Sequence, residues 1–127
     1  MLPTIDLSGR TAFVTGAGSG IGRAIAHALA ESGAHVYIAE RSAETGADCA
    51  DSITSLGGRA TFVQCDVTDT GSIEAALALA TADTGTLDIL VNNAGIPALL
   101  TRMSSVPVSA VASAIAASIE PVSVTSH

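Results

Sequence analysis

Short apolar runs alternate with longer segments in which apolar residues recur at helical spacing, up to about residue 95. Four runs rich in β-branched residues predict buried strands at 11–15, 35–39, 60–64 and 87–91. Between them, apolar positions three and four residues apart predict three helices. Their stripes are Ile21, Ala24, Ile25, Ala28 and Leu29; Ala43, Ala47, Ala50 and Ile53; and Ile73, Ala76, Leu77 and Ala80.

Helix boundaries are marked by residues that favour caps. Gly33 follows the first stripe, Ser42 precedes the second as an N-cap, and Gly85 closes the third. Strands that alternate with helices favour a parallel sheet covered on both faces. We therefore predict an α/β fold over residues 1–96: a truncated, doubly wound parallel sheet of Rossmann type, with about four strands in the order 3-2-1-4.

The composition changes after Gly95, because all twelve glycines lie at or before it. Residues 97–127 form a tail rich in Ser, Ala and Val, in which only Arg102 and Glu120 are charged. One helix is predicted over 107–120, with Pro107 in its first turn and Pro121 beyond its end. Its apolar stripe is Val108, Val111, Ala112, Ile115 and Ile119.

Charge and hydropathy exclude several classes of partner. The net charge is −7, with five arginines and no lysine, so neither nucleic acid nor an anionic membrane surface is an expected partner. No apolar run reaches the roughly 20 residues of a membrane span, and the first residues do not resemble a signal peptide. Cys49 and Cys65 form no CxxC pair, which favours a cytoplasmic protein with both thiols packed in the core.

The segment from Thr15 to Gly22 lies where the first strand ends and the first helix begins. Unpaired N–H groups and the dipole of a helix N-terminus attract a pyrophosphate, and glycine allows the close approach. A glycine-rich turn without any ligand is the alternative. Gly16, Gly20 and Gly22 match TGxxxGxG, so the segment resembles the short-chain dehydrogenase/reductase family.

Three further matches support the resemblance. Glu40 ends the second strand and implies a carboxylate for the ribose hydroxyls of an adenosine. Asp66 follows the third strand and matches the family residue that binds the adenine amino group. Asn92–Gly95 matches the family's NNAG motif, whose backbone lines the cofactor and whose Asn side chains tie strands together. Each match also has an alternative interpretation without a ligand. Glu40 could be a surface glutamate, Asp66 a helix N-cap or a loop carboxylate, and Asn92–Gly95 a turn.

The resemblance implies a cofactor site but leaves its cofactor open between NAD and NADP. Glu40 and Ser19 favour NAD, because a carboxylate repels a 2′-phosphate and many NADP-using relatives carry Arg or Lys in place of Ser19. Arg41 favours NADP, since a guanidinium can pair with that phosphate. We expect NAD. The implied cofactor-binding residues are Gly16, Ser19, Gly20, Ile21, Gly22, Glu40, Arg41, Asp66, Val67, Asn93, Ala94 and Gly95.

The residues that the family uses for hydride transfer are missing from the sequence. The family pairs a Tyr with a Lys four residues later, together with a Ser and an Asn, and this chain has no lysine and no Asn after Asn93. Its one tyrosine, Tyr37, lies inside a predicted strand and is expected in the core. His27, His35 and His127 show no metal-ligand spacing, so neither catalytic nor metal-binding residues are assigned.

Three interpretations follow: the cofactor half of a short-chain NAD(P)-dependent oxidoreductase acting on an alcohol or carbonyl, a nucleotide-binding module without turnover, or a truncated or frame-shifted fragment. A frame change near residue 98 would explain the tail. The fourth strand would then have an open edge, which favours self-association unless the tail folds over it.

Overall fold

The computed structural model describes residues 5–18, 20–82 and 86–93, and the backbone of residues 100–102. Strands and helices alternate as the sequence predicts. In chain order they are β1 (Thr11–Thr15), α1 (Gly20–Glu31), β2 (His35–Glu40), α2 (Ala43–Ser55), β3 (Arg59–Gln64), α3 (Thr70–Thr81), β4 (Ile89–Asn92) and β5 (Leu100–Arg102).

The first four strands form a parallel sheet in the order β3-β2-β1-β4, which confirms the predicted Rossmann-type fold. The register brings their carboxyl ends to one edge: Thr15 pairs with both Ala39 and Asn92, and Glu40 pairs with Gln64. Loops that leave this edge are therefore neighbours in space although they are far apart in sequence. In open α/β sheets, this is the edge where ligands bind.

A fifth strand corrects the expectation that the edge beside β4 is open. β5 pairs antiparallel with β4, so that Ile89 lies opposite Arg102 and Val91 opposite Leu100. Part of the tail thus supplies backbone partners to β4, since unpaired N–H and C=O groups at an edge are costly. Self-association stays a prediction, and the helix predicted over 107–120 lies outside the described residues.

Helix α1 has the predicted period but a different buried face. The residues that it buries are Gly22, Ala26 and Ala30, each one position after a residue of the predicted stripe. Ile21 is 69% exposed, while Ile25 and Leu29 pack at the margin of the core. Small side chains face the sheet because they let the helix axis approach the strands closely; larger residues flank this contact.

Two apolar clusters cover the faces of the sheet. One joins Phe13, Tyr37 and Leu90 to the buried stripe of α3, and the other joins Val14 and Ile38 to α1 and α2. Tyr37 is only 7% exposed, as predicted for a core residue. None of the described helices is long and apolar enough to cross a bilayer.

Both cysteines are buried free thiols, one in each cluster, as predicted. Burial raises the pKa of the Cys65 thiol to about 11, because the thiolate would lose its hydration. Burial also raises the pKa of Cys49. The two residues therefore act as small apolar side chains at neutral pH.

Candidate functional site

The turn between β1 and α1 requires two glycines in the left-handed region. Gly16 has φ +64° and Gly20 has φ +60°, conformations that other residues rarely adopt. The N–H of Gly16 donates to the carbonyl of Ala39 at 3.0 Å, which fixes the turn against the end of β2. A Cβ added at Gly20 would meet nothing within 4 Å, so this side of the turn is open to a ligand. Ser19 lies outside the described residues.

Position 22 requires glycine because the helix packs tightly against neighbouring residues of the fold. A Cβ at this position would overlap the carbonyl oxygen of Gly16 and would lie 2.7 Å from Nδ2 of Asn93. The first turn of α1 therefore packs directly on the end of β1 and on the residue after β4. The requirement for glycine at position 22 is therefore explained without a bound phosphate. The open space at Gly20, by contrast, leaves room for a phosphate.

Helix α1 begins at this turn with the features of an anion site. Its first N–H groups have no partner within the helix, and no acidic residue lies in its first turn. The positive end of the helix dipole therefore points toward the carboxyl edge of the sheet. Ile21, which is 69% exposed, stands in this first turn.

The carboxylate of Glu40 joins the end of β2 to the glycine turn. Oε2 accepts a hydrogen bond from the N–H of Gly18 at 2.8 Å, and Oε1 accepts one from the N–H of Arg41 at 3.0 Å. Each carboxylate oxygen has a second lone pair, so both oxygens can still accept a bond from a ligand hydroxyl. The carbonyl of Arg41 accepts a bond from Nε2 of Gln64 at 3.2 Å, which fixes the backbone beside Glu40.

Asp66 forms a tight turn after β3. Its Oδ1 accepts bonds from the hydroxyl of Thr68 at 2.6 Å and from the N–H of Thr68 at 3.0 Å. These two bonds, helped by the charge of Arg41, lower the pKa of Asp66. The interpretation of Asp66 as a helix N-cap is wrong, because Asp69 caps α3 by accepting a bond from the N–H of Gly71.

A cleft of about 110 Å³ opens between these loops at the carboxyl edge of the sheet. Among the described residues, Oδ2 of Asp66 and the N–H of Val67 have no hydrogen-bond partner, and both residues line this cleft. A carboxylate next to an N–H group presents one acceptor and one donor. The lining residues are Gly16, Ala39, Glu40, Arg41, Cys65, Asp66, Val67 and Thr68.

The end of β4 is tied to β1 by side-chain hydrogen bonds. The hydroxyl of Thr15 donates to Oδ1 of Asn92 at 2.9 Å and accepts from the N–H of Asn93 at 2.9 Å. Nδ2 of Asn93 donates to the carbonyl of Gly16 at 3.3 Å. The two asparagines thus hold neighbouring strands together, as the resemblance implied; Ala94 and Gly95 lie outside the described residues.

Three residues that shape the cleft were not assigned from the sequence. Gly18 donates to Glu40, Thr15 bridges β1 and β4, and Thr68 holds the carboxylate of Asp66. The local signal existed only for Thr68, because a Thr two residues after an Asp is typical of an Asx turn. The partners of Thr15 and Gly18 lie 22 or more residues away.

The two histidines in the described part of the chain lie apart from the cleft, and His127 lies outside the described residues. Nε2 of His27 lies 3.2 Å from the hydroxyl of Ser52 between α1 and α2, and His35 lies at the start of β2 with Nε2 2.9 Å from the hydroxyl of Thr61. Among the described residues, no group of three or more His, Cys, Asp or Glu side chains is arranged to hold a metal ion.

Comparison with known proteins identifies the relatives of this chain. The chain is 42% identical over 91 residues to the 7alpha-hydroxysteroid dehydrogenase of Escherichia coli K12, an alignment that covers 72% of this chain and 36% of the relative. It is 51% identical over 87 residues to the cis-4-hydroxycyclohexanecarboxylate dehydrogenase of Sinomonas cyclohexanicum, which covers 68% and 34%. The chain thus spans about a third of the length of these curated relatives.

Solved structures give the same result. The citronellol catabolism dehydrogenase of Pseudomonas aeruginosa PAO1 superposes with a TM-score of 0.69 at 41% identity, over 75% of this chain and 39% of that one. The hydroxysteroid dehydrogenase of Escherichia coli superposes with a TM-score of 0.64 at 38% identity, over 67% and 36%. A model of the short chain dehydrogenase family matches residues 10–127. This chain therefore belongs to the short chain dehydrogenase family, whose members bind nicotinamide dinucleotide cofactors.

Proposed function

We propose that this chain binds NAD in preference to NADP, and that it is the cofactor-binding half of an oxidoreductase that moves a hydride between the nicotinamide and an alcohol or carbonyl substrate. The position of Glu40 carries the proposal. Its carboxylate is fixed by two backbone N–H groups at the end of β2, beside the turn that precedes α1. A carboxylate that cannot move away accepts bonds from ribose hydroxyls and repels a 2′-phosphate.

The other groups at the cleft fit an adenine dinucleotide. Oδ2 of Asp66 is an acceptor for the adenine amino group, and the N–H of Val67 is a donor for a ring nitrogen. The first turn of α1 offers N–H groups to the pyrophosphate above Gly20, where the structure leaves open space. Thr15 and Asn93 hold the turn in place from the β4 side.

The nicotinamide supplies hydride chemistry when it is bound, and this chain's residues bind and orient the cofactor. We infer that the 127 residues alone do not transfer a proton to a substrate. Tyr37, the one tyrosine, is buried among the core residues of β2, and no lysine is present to lower a phenol pKa. Purified chain is expected to leave the absorbance of NADH unchanged in the presence of ketones. Substrate-dependent oxidation by this chain would overturn the inference.

The binding proposal is tested by titrating the chain and two matched variants with NADH and with NADPH. Glu40→Gln removes the charge at the cleft with little change in shape, and Glu74→Gln makes the same change on the exposed side of α3. The parent chain should prefer NADH by about tenfold, which corresponds to about 1.4 kcal/mol. Glu40→Gln should weaken NADH binding and abolish the preference, whereas Glu74→Gln should preserve both.

Each other outcome has a definite meaning. A preference of the parent chain for NADPH would show that Arg41 outweighs Glu40 and would overturn the cofactor assignment. Equal effects of Glu40→Gln and Glu74→Gln would show that the cleft is not the site. Absence of binding to either nucleotide by a chain with a native circular dichroism spectrum would overturn the proposal as a whole.

A further inference from the structure

A second cavity, of about 150 Å³, lies at the amino edge of the sheet, at the opposite ends of the strands from the cofactor cleft. It forms where β1, β2 and β3 begin, because Thr11 pairs with His35 and His35 pairs with Arg59 in the parallel register. Its lining includes Arg10, Thr11, His35, Tyr37 and Arg59. It is called here the amino-edge cavity.

The amino-edge cavity gathers basic side chains in a chain whose net charge is −7. The guanidinium of Arg59 lies 3.4 Å from Nδ1 of His35, and no carboxylate of the described residues pairs with it. Arg10 shares the carboxylate of Asp88, at 3.5 Å, with the N–H of Thr11. Two guanidinium groups therefore face this cavity, and only one of them has an acidic partner in the described part of the chain.

The hydroxyl of Thr11 gives an independent indication of a ligand. Thr11 is only 4% exposed, and its Oγ1 makes no hydrogen bond with a described residue. Its N–H and C=O, by contrast, are paired with the carboxylate and the N–H of Asp88. Among the described residues, every side-chain polar atom that is sealed from solvent has a partner, so this hydroxyl must open into the cavity that Thr11 lines. Buried hydroxyl groups normally have a hydrogen-bond partner, which a ligand would supply here.

We propose that the amino-edge cavity is a binding site for a phosphoryl group. Guanidinium groups form short, charge-assisted hydrogen bonds with phosphate oxygens, and the hydroxyl of Thr11 adds a neutral donor. Arg10 and Thr11 reach the cavity from the β1 side, and Arg59 reaches it from β3. A phosphoryl group has three acceptor oxygens that point in different directions, whereas a carboxylate has two in one plane. Donors from separate strands therefore favour the phosphoryl group.

The phosphoryl site is separate from the dinucleotide site of the proposed function. Thr11 and Thr15 are the first and last residues of β1, so roughly 13 Å of strand lies between the two edges of the sheet. A single phosphate cannot bridge this distance. Phosphate binding at the amino edge and NADH binding at the carboxyl edge can therefore be measured independently, and the failure of one leaves the other unaffected.

The test is a titration of the ¹⁵N-labelled full chain with inorganic phosphate, with the ionic strength held constant by KCl. Saturable shifts are expected at the amides of Gly9, Arg10 and Thr11, with half-saturation on the order of 1 mM or below. The amides of Gly16 and Gly20 are followed in the same spectra, because the helix N-terminus beside them can also attract phosphate. Acetate should bind at the amino edge at least tenfold more weakly than phosphate.

Two variants examine the donors directly. Thr11→Val removes the hydroxyl and keeps the shape of the side chain. Since that hydroxyl has no partner among the described residues, the midpoint of urea unfolding should not fall, whereas phosphate affinity should fall about tenfold. Arg59→Gln should weaken phosphate binding by about tenfold or more. Arg23→Gln is the control for charge, because Arg23 pairs with Asp48 on the surface of α1 and α2, and it should preserve the affinity.

Four results would overturn the proposal. Absence of saturable shifts in a folded chain would show that the cavity binds no phosphoryl group. Shifts confined to Gly16 and Gly20 would place phosphate at the glycine turn instead. Acetate that binds as tightly as phosphate would exclude the phosphoryl group as the preferred ligand. Unchanged affinity of both Thr11→Val and Arg59→Gln would show that these side chains do not contact the anion.

Discussion

The N–H of Gly18 and the carboxylate of Glu40 are joined by a hydrogen bond of 2.8 Å across 22 residues of sequence. This bond fixes the glycine turn relative to the end of β2. Under the proposed function, Glu40 would order the loop that meets the pyrophosphate and would also present its oxygens to the ribose. The proposal therefore makes the orientation of the turn and the choice of nucleotide depend on the same side chain.

Gly18→Ala should lower both the stability of the chain and its affinity for NADH. The added Cβ would lie 2.5 Å from Oε2 of Glu40 and 2.7 Å from Oγ1 of Thr45, so the turn or Glu40 must shift. We expect a loss of about 1–3 kcal/mol in the free energy of unfolding, measured in urea, and at least a tenfold loss of NADH affinity. Gly71→Ala is the control, because its Cβ meets only ordinary contact at 3.4 Å. Equal behaviour of the two variants would contradict the account.

Thr15→Val should weaken the link between the carboxyl ends of β1 and β4 without changing the shape of the core. Thr15 is fully buried, and its hydroxyl serves both Asn92 and the N–H of Asn93. Removal of the hydroxyl deletes the hydrogen bonds to Asn92 and Asn93, which should lower the free energy of unfolding by about 1–3 kcal/mol. Thr15→Ser retains the hydroxyl and should recover most of that stability in the same urea titration. If Ser is no better than Val, the hydrogen bonds do not stabilise the strand ends.

The carboxyl of Asp66 should titrate at a lower pH in the folded chain than in the unfolded chain. Bonds from Thr68 lower its pKa, so Asp66 favours folding above its unfolded pKa of about 3.9 and loses this contribution as the pH falls through its folded pKa. The side-chain carbon resonance of Asp66, followed by NMR, reports this value. Thr68→Val should raise the pKa; an unchanged titration would exclude Thr68 as the cause.

Removing the carboxylate of Asp88 should lower the free energy of unfolding more than removing the carboxylate of Asp48. Asp88 is buried, accepts the N–H of Thr11 at 2.8 Å and pairs with Arg10 at 3.5 Å. The Asp48 side chain is 73% exposed in its pair with Arg23. Asp88→Ala should lower the free energy of unfolding by about 1–3 kcal/mol, and Asp48→Ala by at most about 0.5 kcal/mol. The reverse order would be inconsistent with this structure.

The strands and their order could be predicted because buried parallel strands are short, apolar and separated by helices. The buried face of α1 could not be predicted, because it consists of the small residues Gly22, Ala26 and Ala30, which carry little hydrophobic signal. β5 was also missed. Its three residues, Leu100–Arg102, contain no alternating pattern, and their pairing depends on the vacant edge of β4.

The cleft could be predicted in part. The resemblance to the short-chain dehydrogenase/reductase family implies roles for Glu40 and Asp66, and the parallel pairing of β2 with β3 brings the ends of both strands to the same edge of the sheet. The roles of Gly18 and Thr15 depend on partners brought close only by folding. Position 22 requires glycine because a Cβ there would meet Gly16 and Asn93, and its role in binding a cofactor stays a prediction.

The most direct test of the account is to map where NADH binds on the ¹⁵N-labelled chain. NADH should shift the amide resonances of Gly16, Gly18, Gly20 and Val67 at the carboxyl edge of the sheet. Gly33 and Gly57, which follow the helices that lead to the amino ends of the strands, should keep their positions. Saturable shifts confined to the first group would support a dinucleotide site built on Glu40. Shifts centred on Gly33 and Gly57, or no shifts in a folded chain, would contradict it.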